Sequence, residues 1–149
     1  MPAQRAADIL ASAGIECTGS DELLGAVVRL DATRIADALA ALDAEGFDLL
    51  VDFFGCDTGE AVELTYHVRV LAEMDDAFLK VVVAYDGEAP SVWRVYPAAL
   101  FPEREAAELF GVSFPGHPNP KRLLTTEGVA PLLRKSVLIR SAEEVRLPS

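Results

Sequence analysis

The stretch Ala61-Val62-Glu63-Leu64-Thr65-Tyr66-His67-Val68-Arg69-Val70-Leu71 decides the fold class. Val62, Leu64, Tyr66, Val68 and Val70 fall on one side of an extended chain, and Glu63, Thr65, His67 and Arg69 on the other. Side chains of a strand alternate with a period of two, so the pattern describes a strand with one buried and one polar face. One-sided strands of this kind belong to antiparallel sheets. Segments 47–54 and 77–85 read as strands too. Gly55-Cys56-Asp57-Thr58-Gly59 and Glu73-Met74-Asp75-Asp76 separate them from the central one and read as turns.

Working outward towards the N-terminus, residues 25–30 read as a further strand. Asp31 is placed as the N-cap of a helix in which Ile35, Ala38, Leu39 and Leu42 recur at helical spacing, and Gly46 ends it. Residues 3–13 read as a short helix stopped by Gly14. Beyond the meander, 91–100 reads as helical with a break at Pro97, and Pro102 suits the first turn of another helix. In that helix Glu103 and Glu105 lie near the positive end of the dipole, and Gly111 closes it. From Gly111 to Pro120 there are three prolines and two glycines, which excludes regular structure yet stiffens the chain. The order strand, helix, consecutive strands predicts α+β: one domain over 1–149, a mainly antiparallel sheet with helices on one face, and an irregular Pro/Gly-rich C-terminal arm. The core is expected over about 25–110 and the docking arm over 111–149.

With 149 residues, 51% of them hydrophobic, the chain is long enough to bury a core without disulfides or metal. No apolar run approaches the roughly 20 residues of a spanning helix, and MPAQRAADIL lacks the apolar core of a signal peptide, so no direct membrane insertion is expected. Cys17 and Cys56 are isolated and read as small buried hydrophobes in a reducing compartment. The net charge of −11 excludes a nucleic-acid partner, which needs positive surface. That charge is uneven. Residues 1–120 hold 21 acids and 7 bases, whereas 121–149 hold 3 acids and 6 bases. An acidic body with a basic end can meet two differently charged surfaces.

A search for chemistry finds none. Phosphate-cradling and dinucleotide-binding glycine motifs are missing, and no CxxC pair offers iron–sulfur ligands. His67 falls on the polar face of a strand, and His117 in the rigid turn Gly116-His117-Pro118. Glu105 and Glu108 share a helix face beside Arg104, as on a charged, partner-facing surface, and the cluster Trp93, Tyr96 and Phe101 reads as packing. Catalytic, cofactor-binding and metal-binding residues are therefore all expected to be absent.

The segment Pro97 to Leu124, PAALFPEREAAELFGVSFPGHPNPKRLL, resembles the signature of the respiratory-chain 30-kDa subunit family, the C subunit of NADH–quinone oxidoreductase. The matching elements are Glu103-Arg104-Glu105, then Glu108-Leu109-Phe110-Gly111, Val112, Phe114, Gly116-His117-Pro118 and Lys121-Arg122-Leu123-Leu124, with Arg134-Lys135 further on. The resemblance implies an α+β subunit of the peripheral arm on the cytoplasmic face of the membrane, packed on a D-like large subunit of 49-kDa type and near cluster-bearing B-like and I-like subunits. It implies no redox centre in this chain, the iron–sulfur clusters lying in those partners. Arg122 and Arg134 are expected to dock on acidic or carbonyl-rich surface of the large subunit.

The departures point to a second assembly. Leu100-Phe101-Pro102 stands where the family often has a tryptophan, Glu108 replaces the usual aspartate, and Pro131-Leu132-Leu133-Arg134-Lys135 stretches the familiar Pro-Leu-Arg-Lys. Such drift is similar to the small subunit of membrane-bound group 4 nickel–iron hydrogenases and formate hydrogenlyases. A free-standing small-molecule-binding domain, with the basic-flanked loop as ligand clamp, is a reading of a different class.

Overall fold

The computed structural model describes residues 2–121, 131, 133 and 134. Helix α1 (Pro2–Ser12) leads into the hairpin of β1 (Cys17–Glu22) and β2 (Gly25–Leu30), and α2 (Ile35–Ala44) comes next. The meander follows as β3 (Leu49–Asp57), β4 (Val62–Val70) and β5 (Asp75–Val83), and α3 (Leu100–Phe110) comes last. The five strands form one open sheet in the order β1-β2-β5-β4-β3, antiparallel throughout except for the β2–β5 pair. The fold is therefore α+β with a mainly antiparallel sheet, as the alternation in 61–71 predicts.

Register shows why the helices share one face. Val28 lies opposite Leu79, Leu79 opposite Tyr66 and Tyr66 opposite Phe53, so these four side chains leave the sheet on the same side. They join Leu10 of α1, Ile35, Leu39 and Leu42 of α2, and Phe110 of α3 in one core cluster. That cluster reaches beyond 25–110, taking in Ala6 and Ile15 at one end and Val112 and Phe114 at the other.

Several segments differ from expectation for identifiable reasons. Gly55-Cys56-Asp57, which reads as a turn, continues β3, because Gly55 is where α3 crosses the sheet. A Cβ there would sit 2.8 Å from the Phe110 ring. Asp75 and Asp76 likewise belong to β5, where Asp76 faces Arg69 across the ladder at 2.6 Å. Strand β1 is unexpected: its residues CTGSDE carry no apolar alternation. Its Gly19 lets the Ala3 carbonyl of α1 pass at 3.3 Å from where a Cβ would stand. Residues 91–96 are turns and not a helix, followed by a 3-10 turn at Pro97–Ala99. Cys56 is exposed and Cys17 half-buried, both free thiols, so neither is the fully buried hydrophobe expected. His67 sits on the polar strand face, stacked on Phe78 with ring centres 4.2 Å apart and Nε2 3.2 Å from Asp76.

Candidate functional site

The motif residues assemble at the end of the sheet where β3 and β5 finish. Pro102 enters the first turn of α3 without cost to the hydrogen-bond ladder. Residues 111–121 then turn back beside 87–91. Ala89 N–H donates to Ser113 O at 3.0 Å, Ser91 N–H to Pro115 O at 2.8 Å, and Ser113 N–H to Gly87 O at 3.0 Å. The irregular arm is thus pinned by backbone bonds that no periodicity reveals.

Side chains complete the clamp. Trp93 Nε1–H donates to Gly116 O at 2.8 Å, and Arg104 Nε–H to Lys121 O at 2.8 Å. His117 Nε2 is 2.8 Å from Leu100 O, while its Nδ1 accepts Asn119 N–H at 3.0 Å. A carbonyl only accepts, so these two bonds select the tautomer with its proton on Nε2. His117 thereby ties the turn to the start of α3.

Glu103 is fully buried. Its carboxylate accepts Ser91 Oγ–H at 2.6 Å and Val92 N–H at 2.8 Å. Burial raises its pKa above the usual carboxylate range, and the bonds from Ser91 and Val92 with the nearby His117 oppose that rise. Glu108 is buried as well. The expected charged, partner-facing surface of α3 is therefore corrected: of its charged side chains only Glu105 is exposed and Arg104 is half-buried, while Glu103 and Glu108 are buried and border the cleft between α3 and the arm.

Arg134 also differs from its expected place on a partner. Only 11% of its side chain is exposed. Its Nε–H donates to Phe110 O at 2.5 Å and an Nη2–H to Gly111 O at 3.3 Å, so it caps the C-terminus of α3, where a cation is favoured. The same guanidinium meets Asp86 at 3.1 Å and lies 4.8 Å from the Tyr85 ring centre. Gly111, at φ +72°, must lack a Cβ, which would stand 2.6 Å from Arg134 Nη2. Tyr85 in turn donates its hydroxyl to the buried Asp57 at 2.5 Å, so the ends of β3, β5 and α3 are joined through one arginine.

Of the motif side chains, Phe110 and Phe114 are core, Gly111 and Gly116 supply the positive φ angles, and Pro118 and Lys121 are exposed. Arg122 and Lys135 lie outside the described residues. Sequence reasoning missed Ser91, Tyr85, Asp86 and Gly55. Only Gly55 carried a signal, being a glycine inside an otherwise apolar strand segment. Between α3 and the arm lies a cleft of about 590 Å³, bordered by Arg104, Ala107, Val112, Pro115, His117 and Lys121. Among the described residues no three His, Cys, Asp or Glu side chains gather to hold a metal ion, and no helix is long and apolar enough to cross a membrane.

An open α+β sheet with its helices on one face, carrying a proline-braced arm clamped onto its last helix, defines a domain that presents a shaped surface. The chain belongs to the respiratory-chain NADH dehydrogenase 30-kDa subunit family, whose profile matches residues 28–142. It is 38% identical over 120 residues to the NADH-quinone oxidoreductase C subunit of Phenylobacterium zucineum, covering 77% of this chain and 57% of that one. It is 40% identical over 97 residues to the equivalent C subunit of Moorella thermoacetica, covering 60% and 66%. The chain thus spans a little over half to two thirds of these relatives. A C/D chain of NADH-quinone oxidoreductase from Shewanella woodyi is 36% identical over 108 residues, which are 64% of this chain and 18% of that longer one. Among solved structures, a trypsin-resistant fragment of Nqo5 superposes with a TM-score of 0.68 at 28% identity, covering 80% of this chain and 99% of the fragment. A chain of the membrane-bound sulfane sulfur reductase, an archaeal respiratory membrane complex, superposes with 0.66 at 26% identity, covering 76% and 70%.

Proposed function

We propose that the chain is a non-catalytic peripheral-arm subunit of a complex I-like NADH–quinone oxidoreductase, supporting its assembly and electron transfer to quinone. The observation that carries this reading is the internal clamp of the motif. Glu103, His117, Arg104 and Arg134 spend their polar groups on their own backbone, fixing a surface and not a reaction centre. What remains outward is Glu105, Pro118 and Lys121 along the arm. A rigid surface binds with less entropy lost than a mobile one.

The partner in this reading is a D-like large subunit, supported by the fused C/D chain, in which the two portions are held at high effective concentration. Cluster-bearing B-like and I-like subunits complete the set and carry the iron–sulfur clusters. The assembly sits on the cytoplasmic face of the membrane. A tagged chain, purified from its native host in mild detergent, should bring these subunits in equal amounts with NADH-oxidising activity. Recovery of the chain alone would sink the proposal and favour a free-standing domain that uses the cleft for a small ligand. The structural likeness to a sulfane sulfur reductase chain favours one second reading, an equivalent subunit of a related membrane-bound complex such as a nickel–iron hydrogenase. Nickel in the co-purified large subunit, without NADH oxidation, would select it.

A further inference from the structure

The end of the sheet away from the clamped arm is apolar at its tips. Strands β1 and β4 end there, β2, β3 and β5 begin there, and the connecting turns expose aliphatic side chains. The β1–β2 hairpin turns on Leu23 and Leu24, of which Leu23 is fully exposed and Leu24 53% exposed. The β4–β5 turn exposes Leu71 and Met74, and the start of β3 exposes Leu49 and Val51. Val27 pairs with Phe78, and Arg69 with both Asp76 and Leu49, so these tips lie side by side across the five strands, a width of about 19 Å.

None of these residues is required by its turn. Gly25 at φ +129° absorbs the left-handed step of the hairpin, leaving Leu23 and Leu24 without a backbone role. Met74 holds φ +55°, a conformation that glycine or asparagine adopts at less cost. Contiguous exposed aliphatic surface on a folded domain marks an interaction site.

The rim identifies the partner. Segments 21–25, 45–52 and 69–76 carry eight carboxylates: Asp21, Glu22, Glu45, Asp48, Asp52, Glu73, Asp75 and Asp76. Three arginines meet them. Arg5 binds Glu73 and Asp75, Arg29 binds Glu22 and Arg69 binds Asp76, leaving five negative charges in excess. An acidic rim repels a second copy of itself and an anionic lipid surface alike. We propose that this end of the sheet docks another protein through an apolar patch ringed by lysine and arginine. Leu23, Leu24, Leu71 and Met74 fill the centre and the surplus carboxylates meet the basic ring. The surface is separate from the clamped arm, and the proposal stands whether or not the arm docks as described above.

A photo-crosslinking residue placed at Leu24 in the native host, with the same residue at the exposed Ala40 of α2 as control, tests this directly. The position-24 adduct should map, by mass spectrometry, to a peptide with apolar residues flanked by lysine or arginine. Leu23→Ser/Leu71→Ser/Met74→Asn in the same chain should reduce the adduct about tenfold, and Asp21→Lys several-fold. The triple variant should melt close to the parent, because Leu23 packs on nothing, Leu71 and Met74 are more than half exposed, and asparagine tolerates the positive φ at position 74. Adducts to lipid, to this chain or to a second copy, or a yield no higher than at position 40, overturn the docking surface. An adduct insensitive to Asp21→Lys overturns the basic partner.

Discussion

Glu103 and Tyr66 are two buried polar side chains whose placements predict opposite behaviour. The Glu103 carboxyl is held above its ordinary value, first by burial, while Ser91, Val92 and His117 pull the other way. Below the unfolded-state value near 4.5 both states keep the proton and burial costs nothing. As pH rises from there through the folded-state value the unfolded chain loses its proton first, so stability is lost over that window. Glu103→Gln cannot titrate but keeps an acceptor for Val92 N–H. The melting temperature of the parent minus that of the variant should therefore fall as pH rises from 4.5, other carboxylates cancelling in the difference. A difference that grows with pH would mean the charged form is the favoured one. Tyr66 is fully buried, yet its hydroxyl has no hydrogen-bond partner among the described residues. Burial, and then the neighbouring Glu103, push its ionisation far up, so the hydroxyl stays neutral and unpaired. Tyr66→Phe removes a group that was desolvated for no bond and keeps the ring stacked on Phe53 at 4.4 Å. Urea denaturation should show it neutral or stabilising; a loss beyond about 1 kcal/mol would reveal a partner such as an internal water.

At the scale of elements, the tightest approach of helix to sheet among the described glycines is at Gly55, where α3 lies against β3. Gly55→Ala forces its Cβ to within 2.8 Å of the Phe110 ring, so the helix must shift or the ring leave its rotamer. An overpacking loss of about 1–3 kcal/mol is expected in chemical denaturation, recovered in part by Gly55→Ala/Phe110→Leu. Failure of that second change to recover stability would place the strain elsewhere. The same glycine shows what was legible in the sequence. Elements with a strong period were readable: β4 by alternation, α2 by its Ile35, Ala38, Leu39 and Leu42 stripe. Glycine inside Gly55-Cys56-Asp57 resembles turn chemistry, although in a strand it equally signals close approach, and only the packed helix decides between the two. Strand β1 had no signal, since its pairing with β2 and its cover by α1 replace any apolar pattern of its own. At the site, the motif marked the right segment but its charges suggested a surface. Glu103 and Glu108 are instead turned inward, and Arg134 is bound to carbonyls at the C-terminal end of α3, because the fold of 111–121 back over α3 depends on long-range backbone bonds.

At the scale of the whole molecule, the clamped arm and the apolar tips occupy opposite ends of the strands. Strand β4, nine residues long, separates them by about 30 Å, far beyond the reach of any one side chain. Changes so far apart, without shared partners, contribute additively to binding free energy, and therefore multiply as fold-changes. Pro118→Gly loosens the exposed turn of the arm by widening the freedom of the unassembled chain. It should cost the isolated domain little and reduce incorporation into the assembly several-fold. The tip variant Leu23→Ser/Leu71→Ser/Met74→Asn should reduce it about tenfold. Incorporation is read by expressing each variant beside a differently tagged parent chain and measuring their ratio in the purified complex. The combined variant should then show the product of the two losses, the outcome for one subunit engaging two surfaces independently. A combined loss no greater than the larger single one would mean that both changes act on one contact through the sheet. Normal incorporation of Pro118→Gly would reduce the braced arm to a linker and leave the acidic apolar end as the docking surface of the chain.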